Sequence, residues 1–316
     1  MRHGVAPPTL PGFDAEDPAE SAIVRRLAEN WSRRAAVKRS ELELEDLFDT
    51  TKLDYPDSLL PFAQHPTYLA LTPEQQVRLR AWAWIAFNKN VMDIERAVVN
   101  PGFELLAVDA FDIGFGDSVE VAVNQAMVDE QYHTLMHLNA SSLTRRGRGL
   151  SLPTKLLPEV QTVRSRAQAL AECPDARSRA VVSLAYMTVA EISISSYLDV
   201  IIDGEEIQPV NRATVRLHNR DELCHASIAD ALAVSVFEAL DADARRRFAD
   251  GAAEAMAAFA GNDFGAWQAI MDAEEISGGN RMIEDIKHSP GSELLVQDFS
   301  GIRKLFDTLG VDKHLP

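Results

Sequence analysis

Two runs of the form Asp-Glu-x-x-His occur in this chain, Asp129-Glu130-Gln131-Tyr132-His133 and Asp221-Glu222-Leu223-Cys224-His225, each inside a long helix-compatible stretch. Residues three apart share one face of a helix, so the Glu and the His of each run can reach a single ion together. Two runs imply two ions. Carboxylate oxygens and neutral imidazole nitrogens suit iron and manganese alike. Four carboxylates would bridge and neutralise two divalent cations, two imidazoles would complete the coordination, and open positions would remain for O2.

The remaining carboxylates come from two further helices. Glu95 sits among Ile94, Val98 and Val99, and Glu191 among Val189, Ala190, Ile192 and Ile194. An unpaired carboxylate in such apolar company is costly to bury, so each needs a cation. The order along the chain is therefore Glu, Glu-x-x-His, Glu, Glu-x-x-His. That is the ligand set of ferritin-like di-iron and di-manganese bundles, one lone Glu and one Glu-x-x-His in each half. Glu95 and Glu130 are 35 residues apart, Glu191 and Glu222 are 31 apart, and 58 separate His133 from Glu191, as two helical pairs joined by a longer crossover would require. Asp129 and Asp221, each directly before a ligand Glu, point off the ligand face and are suited to accept the other N–H of a ligand His. His218 lies four residues before Glu222 on the same stripe and is read as a seventh ligand. His137, four residues after His133, fits by the same spacing, and spacing alone does not choose between them.

The elements that must position these groups are helical nearly throughout. An amphipathic helix is expected over Ala19–Arg39, followed by a Pro-punctuated segment. Thr72-Pro73-Glu74-Gln75 reads as a capping box opening a helix that runs to about Asn100, where Pro101-Gly102 stops it. A short helix is expected between Phe103 and Asp117. Further helices are expected over Ser118–Arg145, Leu157–Ala171, Ala176–Ile202, Pro209–Leu240, Asp241–Phe259 and Asp263–Glu275. No period-2 pattern competes, so the class is all-α: a ferritin-like four-helix bundle core with additional helices. The ligand candidates span Glu95 to His225, so any cut in the middle would split the site. One domain over residues 21–316 follows, preceded by a flexible, Pro-rich arm over 1–20.

Composition sets limits on partners. Lys and Arg total 31 against 48 Asp and Glu, a net charge of −17 that repels phosphate backbones and argues against nucleic acid. The basic run Arg145-Arg146-Gly147-Arg148 reads as a helix C-terminus. With no signal-like segment, no apolar stretch of membrane-span length and only Cys173 and Cys224, a cytoplasmic, reducing setting is expected. No Gly-rich dinucleotide fingerprint or cysteine cluster is present, so electrons must come from a separate donor.

The runs Val128–Thr134 and Leu217–His225, together with Asp298-Phe299-Ser300-Gly301-Ile302-Arg303-Lys304, resemble the di-iron arylamine N-oxygenases over nearly the whole chain after the arm. The resemblance implies two iron ions, O2 as co-substrate, and oxidation of an aryl amine through hydroxylamine and nitroso stages to a nitroarene in antibiotic-type biosynthesis. It also implies a homodimer, and it favours His218 over His137 as the additional ligand. Where aminobenzoate-oxidising members read Tyr-Asn-Glu-Arg, this chain reads Phe87-Asn88-Lys89-Asn90. Phe87, Asn88 and Asn90 are candidates to line an aryl pocket, with Arg303 a candidate for a substrate anion or for closing the C-terminal segment onto the bundle. Two rival classes share the ligand set: a ferroxidase, which needs no organic pocket, and a di-iron or manganese oxidase acting on C–H bonds.

Overall fold

Thr72 caps its helix reciprocally: its hydroxyl accepts from the Gln75 N–H at 3.2 Å, and the Gln75 side chain accepts from the Thr72 N–H at 3.0 Å. Pro73 occupies the first turn, where its missing N–H is not needed. The computed structural model describes residues 22–39, 44–202, 204–289 and 298–311, and the arm expected over 1–20 lies outside them. Among these residues the chain runs α1 (Ala22–Arg34), α2 (Pro66–Leu69), α3 (Pro73–Ile94), α4 (Asn100–Ala107), α5 (Asp117–Arg148), α6 (Gln161–Ala171), α7 (Ala176–Ile202), α8 (Pro209–Ala239), α9 (Ala242–Ala260), α10 (Phe264–Ala273), α11 (Gly279–Lys287) and α12 (Ser300–Leu309). The class is all-α. No strand occurs among the described residues, only an isolated bridge between Leu53 and Ile207.

Four long helices carry the core: α3 with its continuation α4 lies against α5, α7 lies against α8, and α5 meets α8 between the pairs. The crossover from α5 to α7 contains α6, which covers α7 and α9. Helix α1 lies across α5 and α8 together. Helix α7 is apolar and long enough to cross a membrane, contrary to the expectation that no such stretch exists, yet 83% of its most apolar window is buried in the protein. It is the central helix of the bundle, hydrophobic on every side because neighbours cover every side.

Two boundaries differ from the sequence expectation for identifiable reasons. The first helix ends at Arg34, not Arg39, because the Ala36 N–H leaves the helical ladder and donates to Asp221 Oδ2 at 2.9 Å. Pro101-Gly102 does not end a helix. Residues Glu95–Val99 form a π turn, in which the Asn100 N–H reaches back five residues to the Glu95 carbonyl, and the helix resumes through Ala107. The widened turn accommodates a proline whose ring would otherwise crowd the carbonyl four residues earlier. Gly102 serves close approach instead: a Cβ there would lie 2.2 Å from Met187 Cβ on α7. Gly102→Ala should therefore destabilise the fold by about 1–3 kcal/mol, read as a lower denaturation midpoint. Helices α11 and α12 escaped the sequence reading. The Arg145–Arg148 cluster does close a helix: Arg145 donates to the Leu152 carbonyl at 2.8 Å and Arg148 to Asp54 at 2.9 Å, with Gly149 left-handed at φ 63° beyond it.

Candidate metal centre

Glu95 in the π turn, Glu130 and His133 on α5, Glu191 on α7, and His218, Glu222 and His225 on α8 all point into one buried volume. Their ligand atoms form two overlapping groups, each with all atoms within 4.8 Å of one another: Glu95, Glu130, His133, His218 and Glu222 in one, and Glu130, Glu191, Glu222 and His225 in the other. Glu130 and Glu222 belong to both, as carboxylates that bridge two ions would. The centre is lopsided. The first group holds two imidazoles and the π-turn Glu95, the second one imidazole and Glu191.

Burial makes this arrangement costly without cations. None of the four carboxylate residues exceeds 2% exposure. Glu95 Oε2, Glu130 Oε1, Glu191 Oε2, Glu222 Oε1, His218 Nε2 and His225 Nδ1 have no hydrogen-bond partner. These atoms face one another at ion-pair distances, with His218 Nε2 2.6 Å and His133 Nδ1 3.2 Å from Glu222 Oε1, and His225 Nδ1 2.5 Å from Glu130 Oε1. Orphaned oxygens and nitrogens that converge on two points are a donor set for metal, and residues of these types fit two divalent ions.

The titration directions carry the same strain. Burial, and then the charges of Glu130, Glu222 and Glu191, push the Glu95 carboxyl well above the ordinary carboxylate range. Burial, Glu222 and Glu130 do the same to Glu191. For Glu222 burial also pushes upward, but His218 and the other imidazoles hold it well below its usual value. Glu130 is held at about 2, because His225 and His133 outweigh burial and the Glu222 charge. Burial and like charge thus push two of the carboxyls toward their protonated form, while the imidazoles favour the charged form of the two shared ones.

Each ligand imidazole is oriented from behind, and the partners cross between helices. His133 Nε2 on α5 lies 3.3 Å from Asp221 Oδ2 on α8, and His225 Nε2 on α8 lies 3.2 Å from Asp129 Oδ2 on α5. A carboxylate oxygen accepts, so Nε2 of each ring donates to its aspartate and Nδ1 turns to the centre. Removing one acceptor, in Asp221→Ala, should weaken metal binding about 10–100-fold, measured by competition with a chelator dye. The third imidazole is set by a longer series. Asn88 Nδ2 donates to the Trp84 carbonyl at 2.5 Å, so its Oδ1 accepts from His137 Nδ1 at 2.7 Å, and His137 Nε2 accepts from His218 Nδ1 at 2.9 Å. His218 Nε2 is left with its lone pair toward the carboxylates. His137 therefore stands behind His218 and outside both ligand groups, the choice that spacing had left open.

Asn88, a candidate for the aryl pocket, is buried beneath this series and is not among the residues that wall the cavity beside it. Phe87 and Asn90 do. They wall a cavity shared with Tyr55, Tyr197, Phe259 and Trp267, in which Phe87 stacks on Tyr197 at 4.7 Å between ring centroids. Phe87 also lies 6.1 Å from the His137 ring, so this wall backs onto the residue that supports His218. Arg303 is not brought here: it is exposed on α12 with its guanidinium over the Phe299 ring. Sequence reasoning missed the contributions of α1. Trp31 Nε1 donates to both Asp129 oxygens at 2.9 Å, and Arg34 lies 3.5 Å from Asp129 and 3.9 Å from Asp221. Nothing in the spacing of an amphipathic helix marks those two residues.

The comparisons with known proteins span the segments that carry this centre. The family model described as P-aminobenzoate N-oxygenase AurF matches residues 17–310. A 4-aminobenzoate N-oxygenase of Streptomyces thioluteus is 34% identical over 304 residues, covering 95% of this chain and 90% of that protein. Both matches span nearly the whole chain, and on that extent the chain belongs to the p-aminobenzoate N-oxygenase AurF family.

Proposed function

We propose that this protein is an O2-dependent di-iron N-oxygenase of aryl amines. The observation that carries the reading is a buried pair of ligand groups sharing Glu130 and Glu222, with an aromatic-walled cavity backing onto the same helices. Two iron ions held by Glu95, Glu130, His133, Glu191, His218, Glu222 and His225 supply O2 activation when bound. The protein does the rest. Asp129, Asp221 and His137 hold the three imidazoles in one tautomer. The apolar shell of α3, α5, α7 and α8 keeps bulk water from the centre, and the Phe87, Tyr197 and Phe259 rings hold an aryl group by their faces. In the first step the amine N–H becomes N–OH. One oxygen atom of O2 goes to nitrogen and the other leaves as water, consuming two electrons and two protons. Further rounds through the nitroso stage lead to the nitro group. A homodimer and a cytoplasmic setting complete the reading, the first resting on the resemblance and the second on the sparse cysteine usage.

The cavity bears on the substrate. Its described lining carries one cation, Lys89, already paired with Asp93, and one anion, Asp263, which caps α10 and faces Arg164. The other polar groups are the neutral side chains of Asn90, Gln161, Thr162 and Asn262, besides the two tyrosines. We infer an aryl amine whose remote substituent is uncharged, unlike the benzoate named for the Streptomyces relative. The test is single-turnover oxidation of the iron-loaded, reduced protein with O2, comparing p-aminobenzamide with p-aminobenzoate. N-oxygenated product from the amide at roughly tenfold the yield from the acid supports both parts. Preference for the acid would overturn the substrate part alone. Unchanged amine with iron oxidised and accumulating would move the protein to the ferroxidases, and ring or side-chain hydroxylation with the amine intact to the C–H oxidases.

A further inference from the structure

The two aspartates behind His133 and His225 are themselves held in different ways. On one side Asp221, which holds His133, accepts from the backbone N–H of Ala36. On the other, Asp129, which holds His225, accepts from the indole of Trp31 through both oxygens at 2.9 Å. A continuous series of contacts no longer than 3.2 Å thus joins a half-buried tryptophan to a ligand of the centre. Trp31 reaches the surface under a cation, with Lys38 Nζ 4.2 Å over its ring.

Helix α1 and the turn after it are opposite in sign to the chain as a whole. Residues 22–39 contain Arg25, Arg26, Arg33, Arg34, Lys38 and Arg39 against a single acid, Glu29, in a chain of net charge −17. Glu29 is taken up by Arg25 at 3.0 Å, whereas Arg26, Arg33, Lys38 and Arg39 are exposed. The protein holds no redox cofactor motif of its own, and the hydroxylation step needs two electrons. We propose that this basic face docks an acidic one-electron carrier protein, and that Trp31, Asp129 and His225 form the path from that carrier to the centre. The inference rests on the oxygenase reading, and two single-electron visits supply each amine hydroxylation. Electron-transfer encounters of this kind use small, transient interfaces steered by charge, which a local basic island on an acidic protein provides.

The test follows reduction of the oxidised, iron-loaded full chain without oxygen or amine, by stopped-flow bleaching of its iron absorbance. The two reductants are a reduced acidic [2Fe–2S] ferredoxin and reduced methyl viologen, a small mediator that needs no docking face. The ferredoxin rate should fall steeply with salt. A triple variant Arg26→Glu, Arg33→Glu, Lys38→Glu should lower it roughly tenfold while iron content and the viologen rate stay unchanged. Trp31→Phe should lower the ferredoxin rate at saturating donor by a similar factor and spare the viologen rate. A salt-independent ferredoxin rate that survives the triple variant overturns the docking face. Equal slowing of both reductants by Trp31→Phe reduces Trp31 to a support for Asp129. Because no amine is present, a failure to oxidise aryl amines is detected separately and is not confused with either outcome.

Discussion

Glu222→Ala should strip the protein of both metal ions, leaving well under one ion per chain by elemental analysis. Glu222 belongs to both ligand groups and lies within 3.7 Å of the ligand nitrogens of His133, His218 and His225, so its loss removes a donor from both at once. N-oxygenation should fall by about a thousandfold or more, since the loss of O2 activation removes several kcal/mol of transition-state stabilisation. Glu191→Ala is the informative control. Glu191 occurs in one group only, so this variant should retain one ion, held by Glu95, His133 and His218 with the shared carboxylates. Two ions retained after Glu222→Ala would mean that the overlapping groups do not describe how metal is held.

Chelation should lower the melting temperature by about 10 °C. An ion that binds only the folded state at a hundred times its dissociation constant stabilises by about 2.7 kcal/mol, and two ions by about 5. A chain of this length shifts roughly 2 °C per kcal/mol. The chelated protein should also respond to pH in a defined sense. Glu95 and Glu191 are raised above their ordinary value in the fold by burial and neighbouring carboxylates, and His133 and His225 are raised because the Glu130 charge and their hydrogen bonds outweigh burial. All four hold more protons folded than unfolded. Their contribution is present below the unfolded values and is lost as pH rises through the folded ones. His137 and His218, lowered by burial, work in the opposite sense, but they are two groups against four, so calorimetry of the chelated protein should show higher stability at pH 6 than at pH 8. Glu191→Gln, which keeps the shape and removes the acid, should melt higher than the wild type when both are chelated and lower when both are loaded. A chelated protein as stable as the loaded one would remove metal from the energetics of the fold.

The sign reversal in that last pair explains why the ligands stood out in the sequence. A carboxylate set among Ile94, Val98 and Val99, or among Val189, Ala190 and Ile192, opposes the fold unless a ligand compensates, so its presence on an apolar face already signals a cation. The helical repeat then suffices to put Glu130 with His133, and Glu222 with His225 and His218, on common faces. Class, helix order, the paired halves and six ligand candidates were legible for these reasons, each resting on a period of a few residues, whereas spacing left the choice between His218 and His137 open.

What lay beyond that range came from contacts between distant segments. That His218 faces the carboxylates while His137 stands behind it depends on Asn88, 49 residues from His137, and on which side of α3 meets α5. Asn88 looked like a pocket residue because it adjoins Phe87 and Asn90, yet neighbours in a helix point in different directions. Whether a helix face meets a cavity or another helix is settled by packing. The same holds for Pro101-Gly102, which reads locally as a stop. Only the π turn at Glu95 and the close approach of Met187 turn it into a continuation. Trp31, Arg34 and the Ala36 N–H reach Asp129 and Asp221 across 98 and 185 residues, and no local pattern encodes such a meeting. The sequence alone determined which side chains can bind metal, because ligand chemistry and the helical repeat are local properties. The tertiary structure decided what stands behind each ligand, because that depends on how helices far apart in the chain come to lie against one another.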